Sequence, residues 1–288
     1  MNQLTEFLFP DLGARGAIVE FDEGIDAMLG SRPYPPDVRR LVGQTVAAMP
    51  LLAANTKFRG RMSLQFQGKG DLKMLVAQIE ADLQVRGMAK CAEQAAGDFA
   101  ALMGDGLLGL LLEPERGDQN YQAMVAIQGG SLAAALEHYY ASSEQIPSCM
   151  RLAAADGRIR GIVLQRLPLG EKHSSERNWE HLCALFATLG EAELARTDAA
   201  TVLRRLFHAE TLRLFEPQAV TLSCRCNRDS ISAMLLSLGE DELEEHLQEH
   251  GRVDVTCEFC GRDYPFTGDD VRALMMQART QPSNATRH

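Results

Sequence analysis

Cys224-Arg225-Cys226 and, after thirty intervening residues, Cys257-Glu258-Phe259-Cys260 divide this chain into two parts of different character. Two tight cysteine pairs at that separation have the layout of a four-thiolate zinc site. Zinc–sulfur bonds of about 2.3 Å bring four sulfurs to within roughly 4 Å of one another. A Cys-x-x-Cys turn achieves this by curling the chain, and Gly261 directly after Cys260 permits the tight backbone. A Cys-x-Cys pair achieves it in an extended segment, where residues i and i+2 share a face. Ala219-Val220-Thr221-Leu222 reads as a short strand leading into Cys224. His246 and His250, four apart on an acidic helix, form a competing ligand pair. Four thiolates need no histidine, so both rings are assigned to the surface.

The bulk numbers narrow the setting. With 288 residues the chain has room for one large domain and a smaller one. Its 39 acidic against 29 basic residues give a net charge of -10 and no Lys/Arg block longer than two. That opposes a nucleic-acid binder, which needs a concentrated basic surface. Met1 to Glu6 lacks the cationic run and apolar stretch of a secretory leader. No segment reaches the roughly eighteen apolar residues that cross a bilayer. A cytoplasmic location without membrane partners is therefore expected, where thiols stay reduced. The seven cysteines then divide into the cluster of four and three singles, Cys91, Cys149 and Cys183, each expected as a small core hydrophobe. His181 does not pair with Cys183, because residues two apart on a helix point away from each other.

Residues 1–178 read as an α+β core domain. Ala17, Val19 and Phe21 alternate as in a half-buried strand, and Pro35-Pro36 opens a helix with Val38, Leu41, Val42, Val46, Met49 and Leu52 at helical spacing. Strands are expected at Arg61 to Phe66, Leu72 to Ile79 and Leu83 to Met88, then at Leu107 to Leu112 and Tyr121 to Ile127 around a turn at residues 116–120. Ser131 caps a helix reaching about Ser143, and Met150 to Leu164 forms a hairpin turning at Asp156-Gly157. Strands in consecutive hairpin pairs fit an α+β rather than a doubly wound fold.

Residues 179–217 form a helical linker, with helices at Trp179 to Leu189 and Ala199 to Phe207. Residues 218–280 form the zinc domain, with helices at Ile231 to Leu238 and Glu240 to His250, a strand at Arg252 to Thr256, and a capping box at Thr267-Gly268-Asp269-Asp270 opening a last helix. The tail 281–288 is expected to be disordered.

No enzyme site emerges. Gly68-Lys69-Gly70 lacks the third glycine and setting of a dinucleotide loop. Gly104-Asp105-Gly106 and Gly129-Gly130-Ser131 are turns, and no nucleophile elbow or Walker loop is present. The cysteine segment, in contrast, is built to depend on metal. Between Asn227 and Val255, eight acidic residues face only Arg228 and Arg252. Fewer than fifty residues so charged bury little core, whereas structural zinc supplies about 10–16 kcal/mol of folding energy. Zinc-bound sulfurs are thiolates, the form that reacts with oxidants.

These residues resemble a known family, the redox-regulated thirty-three-kilodalton heat-shock protein chaperones. The likeness rests on the two cysteine pairs, including Val255-Thr256-Cys257-Glu258-Phe259-Cys260-Gly261. It extends through Lys57-Phe58-Arg59-Gly60-Arg61 with Gln65-Phe66-Gln67-Gly68, Gly104-Asp105-Gly106-Leu107, Ser131 to Tyr139 and Leu164-Gln165-Arg166-Leu167-Pro168. Leu206-Phe207-His208 and Leu214-Phe215-Glu216-Pro217 continue it.

The resemblance implies an ATP-independent holdase, not an enzyme. Such a protein is an inactive monomer when reduced, with Zn(2+) on Cys224, Cys226, Cys257 and Cys260. Oxidation by peroxide with heat, or by hypochlorous acid, joins Cys224 with Cys226 and Cys257 with Cys260. Zinc is then released, the C-terminal and linker regions unfold, and a homodimer holds unfolded client proteins. Disulfides closing loops of three and four residues stabilise by only about 2 kcal/mol each and tie no distant segments together. The linker helices would then lose their packing partner, exposing Leu203, Leu206, Phe207, Leu212, Leu214 and Phe215 as a surface for other proteins. The competing reading is a constitutive zinc-ribbon adaptor for a protein or nucleic-acid partner.

Overall fold

A computed structural model of the protein describes residues 1–29, 32–54, 56, 59–115, 119–168 and 175–280. The chain opens with the hairpin β1 (Gln3–Phe9) and β2 (Ala14–Phe21), then a short helix α1 (Ile25–Leu29) and the long α2 (Pro36–Ala54). A meander of β3 (Gly60–Gly68), β4 (Leu72–Glu80) and β5 (Gln84–Cys91) leads to α3 (Phe99–Met103) and the hairpin β6 (Gly106–Pro114) and β7 (Tyr121–Ala126). Ser131 caps α4 (Leu132–Tyr139), which widens into a π-helical turn at Tyr140–Glu144. The hairpin β8 (Ser148–Ala155) and β9 (Arg158–Arg166) follows. Next come α5 (Glu176–Ala187), α6 (Glu191–Arg196) and α7 (Ala199–Phe207), then three two-residue strands, β10 (Arg213–Leu214), β11 (Gln218–Ala219) and β12 (Thr221–Leu222). The rest comprises α8 (Arg228–Leu238), α9 (Glu240–His250), β13 (Arg252–Thr256), β14 (Asp263–Thr267) and α10 (Gly268–Thr280). Consecutive antiparallel hairpins dominate, as the α+β class requires.

Two units divide the chain, Met1–Leu29 with Pro33–Ser223, and Gly30–Arg32 with Cys224–His288. The first contains two sheets, ordered β10-β1-β2-β9-β8 (with β11 also on β1) and β12-β5-β4-β3-β6-β7. Helix α2 packs on β2, β8 and β9 of one and on β4 and β5 of the other. It is therefore buried all round from Leu41 to Ala53, not along the single stripe that its apolar spacing suggests. Close approach on both sides depends on glycine: a Cβ on Gly87 of β5 would lie 2.6 Å from Val46 Cγ2, and one on Gly161 of β9 2.9 Å from Leu51 Cδ1. The polar groups enclosed with α2 are satisfied, since Thr45 Oγ1 donates to the Leu41 carbonyl and Gln44 Nε2 to the Leu152 carbonyl.

The opposite face of the β1–β2–β9–β8 sheet carries α5, α6 and α7. Phe207 of α7 meets Phe9 edge-on at 4.9 Å and Phe7 at 6.4 Å between ring centroids. Strand β2 is accordingly buried on both faces: Ala17, Val19 and Phe21 join the core around α2, while Ala14 and Ile18 join the core under α5–α7. A half-buried strand was the expectation; the helical layer accounts for the difference. Glu20 of β2 fastens that layer, accepting the Ala199 N–H from the first turn of α7 at 2.9 Å while the buried Arg160 lies 3.5 Å away. Packing on the sheet, rather than on the C-terminal segment, is what buries the apolar faces of α5–α7. Leu214 and Phe215, expected to be concealed, are already exposed.

Strand β1, helix α6 and strand β14 carry no clear signal in the sequence. β1 is interrupted by Thr5 and Glu6 and is stabilised by pairing with β2, β10 and β11. The expected turn at residues 116–120 falls largely outside the described residues, as do Lys57, Phe58 and the tail from Gln281.

The second unit has a small core of its own, including Leu235, Leu243, Val253, Phe266, Val271 and Met275. Helix α9 buries only Leu243, and its acidic first turn, Glu240, Asp241 and Glu242, complements the helix dipole. The expected capping box forms: Asp270 N–H donates to Thr267 Oγ1, and Thr267 N–H donates to the Asp270 carboxylate. Substituting Phe207→Ala removes the ring that joins α7 to Phe7 and Phe9, and should destabilise the first unit by about 3–5 kcal/mol in urea titrations of the full chain.

Candidate metal centre

Each cysteine pair is placed by local backbone that the sequence encodes. Cys224 and Cys226 lie between β12 and α8, where Asn227 stops the extended run by capping the helix. The Asn227 side chain accepts the Ser230 N–H, and Ser230 Oγ accepts the Asn227 N–H in return. Cys257 and Cys260 occupy the turn between β13 and β14. That turn is closed by the Gly261 N–H donating to the Cys257 carbonyl at 2.8 Å and the Cys257 N–H donating to the Arg262 carbonyl at 2.9 Å. Gly261 sits at φ +72°, the left-handed conformation that the tight turn demands.

The four sulfurs lie within 4.8 Å of one another, with Cys224 Sγ 3.6 Å from Cys257 Sγ and Cys226 Sγ 3.3 Å from Cys260 Sγ. A tetrahedron with bonds of about 2.3 Å has edges of roughly 3.8 Å, so the donor set fits zinc in number, softness and spacing. Cys257 and Cys260 are buried and the other two half-buried. Burial pushes the Cys224 thiol up to about 12, with the neighbouring sulfurs adding to the rise. At Cys226 burial acts in the same direction, but Tyr264 and the other three cysteine side chains outweigh it and bring the group down to about 7. Tyr264, whose buried hydroxyl has no conventional hydrogen-bond partner, favours the Cys226 thiolate in this way. Four thiolates this close repel one another strongly, and a bound cation removes that cost. Sequence reasoning missed Tyr264 because nothing marks a tyrosine four residues past a cysteine turn as a neighbour of the other pair.

His246 and His250 do not join the cluster. Both are exposed and stack on each other with ring centroids 4.4 Å apart. His181, set aside as a partner for Cys183, instead meets Glu210 at 2.8 Å. Cys91 packs half-buried against the core around α2. Cys149 and Cys183, expected as unrelated singles, lie with their sulfurs 3.1 Å apart. Among the described residues, no helix is long and apolar enough to cross a membrane.

Comparison with known proteins gives a consistent set of relatives. The family model described as Hsp33 protein matches residues 2–267. A 33 kDa chaperonin of Pseudomonas paraeruginosa is 40% identical over 294 residues, covering 100% of this chain and 99% of that protein. The 33 kDa chaperonin of Azotobacter vinelandii is 39% identical, covering 98% and 97%. Among solved structures, the 33 kDa chaperonin of Thermotoga maritima superposes with a TM-score of 0.81 at 22% identity, covering 98% of this chain and 100% of that one, a likeness of fold.

Replacing any one of Cys224, Cys226, Cys257 or Cys260 by serine should abolish stoichiometric zinc binding and raise amide exchange across residues 224–280. The double substitution His246→Ala/His250→Ala should retain one zinc per chain by metal analysis. Loss of zinc from the histidine variant would return those rings to the ligand set.

Proposed function

The chain belongs to the Hsp33 family, and from that premise we propose that it is a redox-regulated, ATP-independent holdase chaperone of the cytoplasm. The observation that carries the reading is the four-sulfur cluster at the base of a unit whose apolar core is small and whose surface is acidic. Zinc, when bound by Cys224, Cys226, Cys257 and Cys260, supplies a cross-link between the two cysteine segments and with it about 10–16 kcal/mol of folding energy. The remaining steps belong to the chain.

Peroxide or hypochlorous acid oxidises thiolates, and we assign the bonds to chain neighbours, Cys224 with Cys226 and Cys257 with Cys260. Each disulfide passes two electrons to one molecule of oxidant. Sulfur separation alone leaves other pairings open, since the 3.6 Å and 3.3 Å contacts run between segments. A disulfide across the segments would preserve the link; neighbour disulfides abolish it, and the second unit is left with its small apolar core and the contacts of Arg228 with Pro265, Phe266 and Asp270.

Unfolding then runs back along the chain from Cys224. β12 is held on β5 by the Thr221 N–H to the Leu83 carbonyl and the Ser223 N–H to the Val85 carbonyl. β11 and β10 pair with β1 over two residues each. These ladders are two residues long, and β10 and β11 are exposed, so they open at low cost. Release of β12 withdraws Val220 and Leu222 from the core around α2, and loosening of α7 uncovers Leu203, Leu206 and Phe207. A surface of that kind suits the exposed apolar segments of unfolding client proteins, and its self-association accounts for a dimer in the oxidised state and a monomer in the reduced one.

Zinc content and suppression of aggregation of a thermally unfolding client should be measured on the same samples before and after peroxide treatment. The reduced protein should hold one zinc and give no protection. The oxidised protein should be zinc-free and protective, with faster amide exchange over residues 199–280 and unchanged exchange in β3 and β4. Equal behaviour in both states would instead mark a constitutive zinc adaptor.

A further inference from the structure

The contact between Cys149 and Cys183 has no part in the metal centre. Cys149 lies at the start of β8 and Cys183 in the middle of α5, 34 residues apart in sequence and with sulfurs 3.1 Å apart. Both side chains are half-buried against the apolar layer between α5–α7 and the sheet. Ordinary van der Waals contact between sulfurs is longer than this, and a disulfide bond is about 2.0 Å. The sulfurs need to approach by about 1 Å for the bond to form.

We propose that Cys149 and Cys183 are a second, metal-independent redox site, oxidised by hydrogen peroxide to a disulfide that pins α5 to β8. One thiolate attacks a peroxide oxygen and breaks the O–O bond. It becomes a sulfenic acid, and the departing hydroxide takes up a proton as water. The second sulfur attacks the sulfenic sulfur, forms the S–S bond and expels the hydroxyl as a second water. Two electrons pass from the sulfur pair to one peroxide, and both thiol protons end on the waters.

Burial pushes both thiols up, with Glu137 adding to the rise at each, and Glu176 at Cys183. Arg151 beside Cys149 and Arg166 beside Cys183 oppose it. The pair is therefore mostly protonated near neutral pH and reacts slowly, as a bond made under sustained oxidation would.

The bond would divide the helical layer. Trp179, Leu182 and Phe186 of α5 stay on the sheet, while α7 is held non-covalently, by its apolar face, by Glu20 and by the ion pair of Arg205 with Glu193 of α6. Oxidation would then free α7 without releasing α5. This consequence rests on the holdase reading; the bond itself does not.

The full chain, zinc-loaded and reduced, is treated with excess hydrogen peroxide, alkylated and mapped by non-reducing peptide mass spectrometry beside Cys149→Ala and Cys183→Ser variants. A peptide pair linked through Cys149 and Cys183 is expected in the wild type. Residues 176–187 of the oxidised wild type should exchange about a hundredfold more slowly than in either oxidised variant, because the cross-link closes a loop of some 35 residues. Recovery of both cysteines as alkylated thiols after Cys224, Cys226, Cys257 and Cys260 have oxidised overturns the proposal. So does linked peptide without slower exchange in α5. Client aggregation, scored on the same samples, tests the holdase reading separately: a linked peptide in a protein that never protects clients supports this site and removes that reading.

Discussion

Four sulfur atoms from two chain segments, gathered within 4.8 Å, are the constraint on which the second unit depends. Without a cation between them, burial and the neighbouring sulfurs keep the Cys224 thiol protonated, and no bond joins the two segments. The unit's own core is small, with α9 burying one side chain and β13 pairing with β14. On the proposed function, structure and sensitivity to oxidants reside in the same atoms. The thiolates that bind a soft metal are the nucleophiles that an oxidant consumes.

The first unit is organised on the opposite principle. Its α2 is enclosed between two sheets, with Gly87 and Gly161 allowing contact at van der Waals range. Its core is built from apolar side chains of the sheets and helices, and the proposed function gives it the part of a platform while the C-terminal part changes state. Between these extremes lie α5–α7 and the three short strands that follow. The helices bury apolar faces on the sheet, and the strands give graded exits from it toward Cys224. A layer fastened at one end by the Glu20 carboxylate and at the other by two-residue ladders is suited to opening in steps.

Much of the fold was legible because its signals are local. The β3–β4–β5 meander, the Asp156-Gly157 turn, the Ser131 cap and the box at Thr267 each declare themselves within a few residues. Elements defined by their neighbours were not legible. β1 mixes Thr5 and Glu6 with its apolar residues and owes its conformation to the strands beside it. β2 lost its expected alternation because helices cover both its faces, and α2 lost its expected stripe because sheets pack on both sides of it.

The candidate sites divide along the same line. Cys224, Cys226, Cys257 and Cys260 are readable in the chain itself, because a metal needs ligands in pairs that a turn or an extended tripeptide can present, and such spacing is a property of covalent geometry. Gly261 belongs to that local information. The meeting of Cys149 and Cys183, the approach of Tyr264 to Cys226, and the choice of the sheet as the seat of α5–α7 were decided by tertiary structure alone. Each depends on how one element lies across another, and residues brought together by burial carry no spacing rule from which the contact could be read.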